Sequence, residues 1–429
     1  MEAKPNAAWV RVSEIIEKDT DDLVNLCLLL SGIPSPAGKE RKVCEAVVAW
    51  FKSAGIRSWT QRITEDSANA VAQIKGSGNG KSLIFDAHLD TGAPGSVGRG
   101  DDAKRMETGF AEKGMLYGWG IVNDKAQVAA FMIAARALHK AGIQLGGDLT
   151  VVGAAFETGD PSVDEFQGID RPGEGFGSRW LIDRGIVADY ALVGETTNFG
   201  LVTVECGYVQ LKIEVYGRPL YTPRLVRGKA WQESPNAFEK AGHIVQALEE
   251  WAIRYEEREK TPHAGGVINP KAQILGIRGN GPSGLNGDTC QIYLEVWILP
   301  GRDPRAVLSE IRVLVQNFKI DHEVSMYHWS RGYYAKNAEL LIDSIRQAHS
   351  YLFGTEPPAP PSATLSMWRD INAFNEVGIP SICYGPARQK EMYTYEQNRA
   401  MKISDLVAAT KVYALTAMSI CGAAKKASQ

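Results

Sequence analysis

The sequence predicts an α/β fold in which a largely parallel sheet is covered on both faces by helices and interrupted by an inserted α+β unit. Three observations carry the prediction. Short apolar strands alternate with amphipathic helices up to about residue 204. Strands of alternating polarity then take over, beginning with YVQLKIEVY at 208–216. The α/β pattern returns from residue 338. These breaks divide the chain into 1–204, an inserted unit 205–330, and 331–429. At ~150 residues per domain, a chain of 429 has room for two or three.

Taken in order, residues 22–54 read as two helices broken at Gly32-Ile33-Pro34-Ser35-Pro36. The second, 39–54, places Val43, Val47, Val48 and Phe51 on one face. Residues 70–75 and 82–85 read as strands around the turn GSGNG. A strong helix spans 125–141, and buried strands follow at 148–155 and 189–193. In the insert, Ser234 and Pro235 read as the N-cap and first residue of a helix running toward residue 258. Strands at 273–277 and 291–299 and a helix at 304–318 complete it. The last part offers helices at 338–353, 370–377 and 403–421 and a strand at 381–384. The proline-rich run PPAPPS between them reads as a plain loop.

Composition narrows the function. Hydrophobic residues are 44% and charged residues 23%, which excludes a disordered chain. A net charge of −3 without basic runs argues against nucleic-acid binding. The N-terminus lacks a secretory apolar stretch, and no apolar run reads as long enough to span a bilayer. No membrane partner is expected, and the cytoplasm is the default location. The six cysteines are scattered without C-x-x-C spacing and read as reduced, buried residues.

Four segments carry chemistry. HLDT at 88–91 follows an apolar strand, where His88 suits a metal ligand and Asp90 a partner that orients the imidazole. GWGIVNDK at 118–125 ends on Asp124 at a helix start, which taken alone reads as a helix cap. Glu157 and Glu195 each end a buried strand. In an open α/β sheet, ligands bind beyond the carboxyl ends of the strands. One histidine and three acids at one rim favour a metal site over four unrelated loop residues.

HLDT, GWGxxNDK, the glutamate after a strand and VGETT, in this order, resemble the aminoacylase and glutamate-carboxypeptidase family of metal-dependent amidohydrolases. The likeness extends through residues 217–221, 234–237, 299–301 and 378–386. It implies a metallopeptidase-type mixed sheet sandwiched by helices, with an inserted α+β lid that forms a homodimer. It also implies that His88, Asp124 and Glu195 are the ligands of one metal, Glu157 the general base acting on its water, and Asp90 the residue that orients the His88 imidazole from behind.

Departures from the family pattern sharpen the expectation. The second metal of the family needs a glutamate after the base, where this chain has Thr158, and a C-terminal histidine within 393–398, where it has none. The last histidine is His349. One divalent ion per chain is expected, Mn²⁺ favoured and Zn²⁺ second, because carboxylate-rich ligation suits a harder ion. The lid histidine of the family aligns with Tyr221 and its lid-strand arginine with Trp297. Tyr221, Trp297 and Tyr395, with Arg224, Arg227 or Lys229, offer aromatic surface and cations for a ring bearing a carboxylate. The departures suit a small molecule whose non-peptide C–N bond is hydrolysed, and the resemblance, which includes a member acting on 5-nitroanthranilate, implies an activated aromatic amine of that kind as the substrate. An amidase of N-acyl amino acids or a small-peptide carboxypeptidase is the alternative, and a binding protein that has abandoned catalysis the remaining one.

Overall fold

The computed structural model describes residues 6–92, 101–118, 120–158, 173–226, 228–263, 266–281, 285–388 and 399–422. Its two main sheets use β1 (Arg57–Arg62), β2 (Ala68–Ile74), β3 (Leu83–His88), β4 (Leu149–Ala154), β5 (Tyr190–Gly194), β6 (Gly207–Tyr216), β7 (Ala272–Asn280), β8 (Thr289–Ile298), β9 (His322–Ser330) and β10 (Ser381–Tyr384). The helices used below are α1 (Ala7–Lys18), α2 (Thr20–Ser31), α3 (Arg41–Ser53), α4 (Ala126–Lys140), α5 (Phe176–Asp183), α6 (Ala237–Glu259), α7 (Pro304–Gln316), α8 (Glu339–Phe353), α9 (Ile371–Glu376) and α10 (Ile403–Cys421).

The central sheet has the order β1-β2-β4-β3-β5-β10. β4, β3, β5 and β10 run parallel, whereas β2 is antiparallel to β4 and β1 to β2. The sheet is therefore mixed, which strand–helix alternation alone does not reveal. Every residue of β3 and β4 is buried, because helices cover both faces. Phe85 of β3 stacks on Phe131 of α4 with ring centroids 4.5 Å apart, and Tyr413 of α10 packs on Phe131 at the same distance. The Tyr413 hydroxyl lies 2.8 Å from Gln127 Oε1 and 2.9 Å from the Tyr384 carbonyl, tying α10 to α4 and β10. Gly194 is needed here, because a Cβ would come within 2.8 Å of the Phe131 ring.

One helix lies outside the sequence reading, one expectation needs correction, and the reading of the cysteines holds. Residues 7–18 form α1, whose Val12 and Ile16 are buried; Asn6 caps it by accepting from the Ala8 amide. The short apolar stripe of this helix is easily read as a polar terminus. Helix α10 is long and apolar enough by length and composition to cross a bilayer, contrary to the reading of the apolar runs. It packs instead against α1, α4 and α8, which accounts for its apolarity. All six cysteines are buried free thiols.

The second sheet has the order β7-β8-β6-β9 and is entirely antiparallel. Its buried face, including Val209, Leu211, Ile213, Ile292 and Leu294, packs with Ile244 and Leu248 of α6 and Val307 and Ile311 of α7 into a separate apolar cluster. The chain enters and leaves this unit side by side, where Val204–Glu205 pairs with Tyr333–Tyr334. Helix α6 begins at Ala237, not at Pro235: Asn236 is the cap, its side chain accepting from the Phe238 amide at 2.9 Å. Ser234 instead donates to Glu239 at 2.6 Å. Asn236→Ala is expected to cost about 1 kcal/mol, the usual loss for removing an N-cap, read as a lower urea midpoint with an unchanged slope.

Candidate metal centre

The parallel order β4-β3-β5 explains why three distant residues meet. His88 is the last residue of β3, Glu195 directly follows β5, and Glu157 lies three residues beyond β4. Adjacent parallel strands deliver their carboxyl ends to one rim. Asp124 arrives from another direction, in the wide turn Ile121–Lys125 that leads into α4. Its peptide bond to Asn123 is cis. Asp124 does not cap α4, whose N-cap residue is Lys125 and has no side-chain cap.

Ligand atoms of His88, Asp124 and Glu195 lie within 4.8 Å of one another, and all three residues are buried. The His88 Nε2 and both Asp124 carboxylate oxygens have no hydrogen-bond partner among the described residues. Buried polar atoms without partners are rare in folded proteins, so this set fits a cation. His88 is pre-oriented for it. Its Nδ1 is 2.9 Å from the Asp90 carbonyl oxygen, which can only accept, so Nδ1 carries a proton and Nε2 is the nitrogen left to meet a cation once it gives up its own.

The electrostatics agree. Burial by itself would lower the His88 pKa, but Glu157, Asp90 and Glu195 raise it to about 9. Burial, with Glu195 and Glu157 nearby, pushes the Asp124 carboxyl well above its ordinary range. Burial likewise raises Glu157 to about 8, against the pull of His88. Crowded buried acids of this kind ionise only beside a positive charge.

His88 also groups with Asp90 and Glu157 at similar spacing. There, however, the Asp90 oxygens already accept from the Glu157 amide at 3.0 Å and the Thr158 amide at 2.7 Å. The Asp90 carboxylate thus holds the Glu157 loop, while its carbonyl holds the imidazole. Thr158 donates its hydroxyl to Glu157 Oε2 at 3.3 Å. His349 sits in the core instead, with Nδ1 2.7 Å from the Tyr384 hydroxyl.

Residues that the sequence reading missed complete the support. Asn69 Oδ1 accepts from the Ala155 amide at 2.9 Å, and Glu40 Oε1 from the Phe156 amide at 3.2 Å. With Asp90, three separate segments pin four successive amides, 155–158, immediately around Glu157. Asn69→Ala leaves the Ala155 amide and the Gly177 carbonyl without this partner. The expected result is a stability loss of about 1–3 kcal/mol, together with a fall in kcat larger than any change in KM, read from urea denaturation and steady-state rates. Arg369, also missed, places Nε 3.5 Å from Glu195 Oε2 and donates to Glu205 at 2.6 Å. Behind it, the Ser178 hydroxyl lies 2.9 Å from Asp370 and 3.3 Å from Asp86.

The residues expected to bind substrate differ in exposure. Tyr221 and Arg224 lie on the second sheet's unit, exposed, as is Lys229. Trp297 is half-buried, its indole N–H donating to Glu295 at 3.0 Å, and it packs against an apolar cluster that includes Val204 and Cys206. Tyr395 and Arg227 lie outside the described residues.

Comparison with known proteins agrees with this geometry. The model of peptidase family M20/M25/M40 matches residues 84–419. The chain is 23% identical to the N-formyl-4-amino-5-aminomethyl-2-methylpyrimidine deformylase of Halalkalibacterium halodurans, over 92% of this chain and 93% of that protein. It is 22% identical to the uncharacterised protein YgeY of Escherichia coli K12, over 94% of this chain and 96% of that one. Human carnosine dipeptidase 1 shares the fold with a TM-score of 0.71 at 15% identity, covering 97% of this chain and 99% of its own. YxeP of Bacillus subtilis, described as a dinuclear metal-binding peptidase, shares it with a TM-score of 0.63 at 13% identity, covering 94% and 99%. A match running from β3 into α10, on a sheet whose rim gathers a buried His–Asp–Glu set, places the protein: it belongs to peptidase family M20/M25/M40 and is a metal-dependent hydrolase.

Proposed function

We propose that the chain hydrolyses a non-peptide C–N bond of an activated aromatic amine, with 5-nitroanthranilate giving 5-nitrosalicylate and ammonia. The observation that carries the reading is the asymmetry of the site. One ligand set, His88, Asp124 and Glu195, is whole, while the place next to Glu157 is held by Thr158, whose hydroxyl is turned onto Glu157. The C-terminal run 393–398 contains no histidine. A single divalent ion, Mn²⁺ before Zn²⁺, is proposed there; when bound it acts as a Lewis acid that eases deprotonation of water.

The chain's own residues do the rest. His88, Asp124 and Glu195 hold the ion, and the Asp90 carbonyl fixes the imidazole. Glu157 accepts a proton from the attacking water and returns it to the departing nitrogen, so that water and arylamine become phenol and ammonia. The nitro group takes up the electron pair when oxygen adds to the ring carbon, so no carbonyl oxyanion has to be stabilised. This suits a lid with Tyr221 where the family pattern has histidine. Tyr221, Arg224, Trp297 and Tyr395 are proposed as substrate contacts of the lid and rim. The unit 205–330 is proposed as the lid, and a homodimer through it belongs to the same proposal. Its edge strand β7 leaves Leu275 and Ile277 exposed, and analytical sedimentation tests for the pair.

The likeness to a deformylase over nearly the whole chain favours a second reading, hydrolysis of an N-formyl or N-acyl amide. One assay separates the two. Protein purified without added metal is analysed for ions by plasma mass spectrometry, then given 5-nitroanthranilate, an N-formyl aminomethylpyrimidine and N-acetyl amino acids. Roughly one ion per chain with ammonia release from the nitroaromatic supports deamination. Acyl cleavage without ammonia release from 5-nitroanthranilate sinks it in favour of the second reading.

A further inference from the structure

The loop after β10 carries a cation, Arg388, whose Nε is buried without a hydrogen-bond partner among the described residues. It closes on the turn that follows Glu195: the Gly385 amide donates to the Thr197 hydroxyl at 3.0 Å, and the Phe199 amide to the Gly385 carbonyl at 2.8 Å. A Cβ at Gly385 would run into the Glu195 carbonyl, so the two segments touch backbone to backbone. Three residues on, the Arg388 amide donates to Asn198 Oδ1 at 3.2 Å. Glu195 and Asp124 lie within electrostatic reach of the Arg388 guanidinium. Its Nε is closed off from solvent and has no hydrogen-bond partner among the described residues. Burial and the positive Arg399 bear on it, with Glu195, Arg369 and Asp124 also acting. Arg369 is engaged by Glu205 and Glu195, and Arg399 reaches the site from the Gly118 side, its carbonyl accepting from the Gly118 amide at 3.0 Å.

A guanidinium does not give up its proton, so a sealed N–H without an acceptor is costly unless an anion arrives to meet it. The acids already have a claimant, since His88, Asp124 and Glu195 suit a divalent ion. An anion carried by the substrate suits it, since Nε meets no acceptor among the described residues. We infer that Arg388 is the specificity residue of this site, its guanidinium receiving a carboxylate that the substrate carries next to the reacting C–N bond. The inference rests on the proposed reaction only for which bond breaks. It moves the carboxylate contact from the exposed Arg224 and Lys229 to a cation built into the catalytic rim.

Holoenzyme carrying Arg388→Met or Arg388→Lys is titrated calorimetrically with 5-nitrosalicylate and with 4-nitrophenol, the same ring without the carboxylate. Loss of a charge-assisted pair predicts that Arg388→Met binds 5-nitrosalicylate about 10- to 100-fold more weakly, while 4-nitrophenol changes by less than about threefold. Arg388→Lys falls between, because it keeps the charge and loses the fork. In turnover, KM for 5-nitroanthranilate rises and kcat holds, with the ion content unchanged. Equal weakening of both ligands, no weakening of either, or loss of the ion would overturn the assignment. If the wild-type protein releases no ammonia from 5-nitroanthranilate, KM is compared for N-acetylphenylalanine and its amide. A rise confined to the acid keeps the Arg388 subsite while the deamination reading falls, and a rise shared by the amide removes both.

Discussion

Asp124→Asn is expected to remove the bound ion and the activity together. The substitution keeps the side-chain volume and takes away the charge from a carboxylate that no other described group satisfies. Lewis-acid assistance is worth several kcal/mol, so the rate should fall by about a thousandfold or more. The ion content after dialysis should drop with it. The fold should survive, because burial with Glu195 and Glu157 nearby already pushes Asp124 toward its neutral form when no cation is present. Circular dichroism and the urea midpoint check that point. A variant that retains its ion and stays within about tenfold of the parent rate would falsify the assignment of Asp124 as a ligand.

Glu157→Gln should behave differently. Its kcat is expected to fall by about 10² to 10⁴, the usual worth of a positioned general base, with KM little changed. The ion should stay at the parental level, since the proposed ligands are His88, Asp124 and Glu195. The loop geometry should also stay, because Asn69, Glu40 and Asp90 hold its backbone and not its side chain. Ion analysis of the purified variant alongside its rate makes the test. Loss of the ion would move Glu157 into the ligand set, and a rate loss below about threefold would end its role as base.

Much of the centre was legible because its residues sit where chain direction and burial change. His88, Glu157 and Glu195 follow apolar strands, and Asp124 follows a glycine-rich turn; each leaves a local pattern. The residues that hold them in place leave none. Glu40 meets Phe156 across 116 positions, Asn69 meets Ala155 across 86, and Arg369 meets Glu205 across 164. Nothing in a window of neighbouring residues announces such a contact. The same limit explains β1, whose RSWTQR is half-exposed at the sheet edge and lacks a buried-strand signature. The start of α6 was misread for a different reason: Ser234 and Asn236 are both good caps, and only the packed geometry selects Asn236.

The sequence by itself determined the fold class, the order of the chemical residues and the absence of a histidine in 393–398, because these depend on periodicity, strand ends and composition. The tertiary structure decided the rest. It set β1 and β2 antiparallel to the parallel core, assigned α10 to the interior, and divided the two ends of Asp90 between an imidazole and two amides. It also buried the Arg388 Nε without a partner among the described residues, on a loop that closes against the turn after Glu195. Each of these outcomes turns on which distant groups exclude water from one another, and that is fixed only when the layers pack.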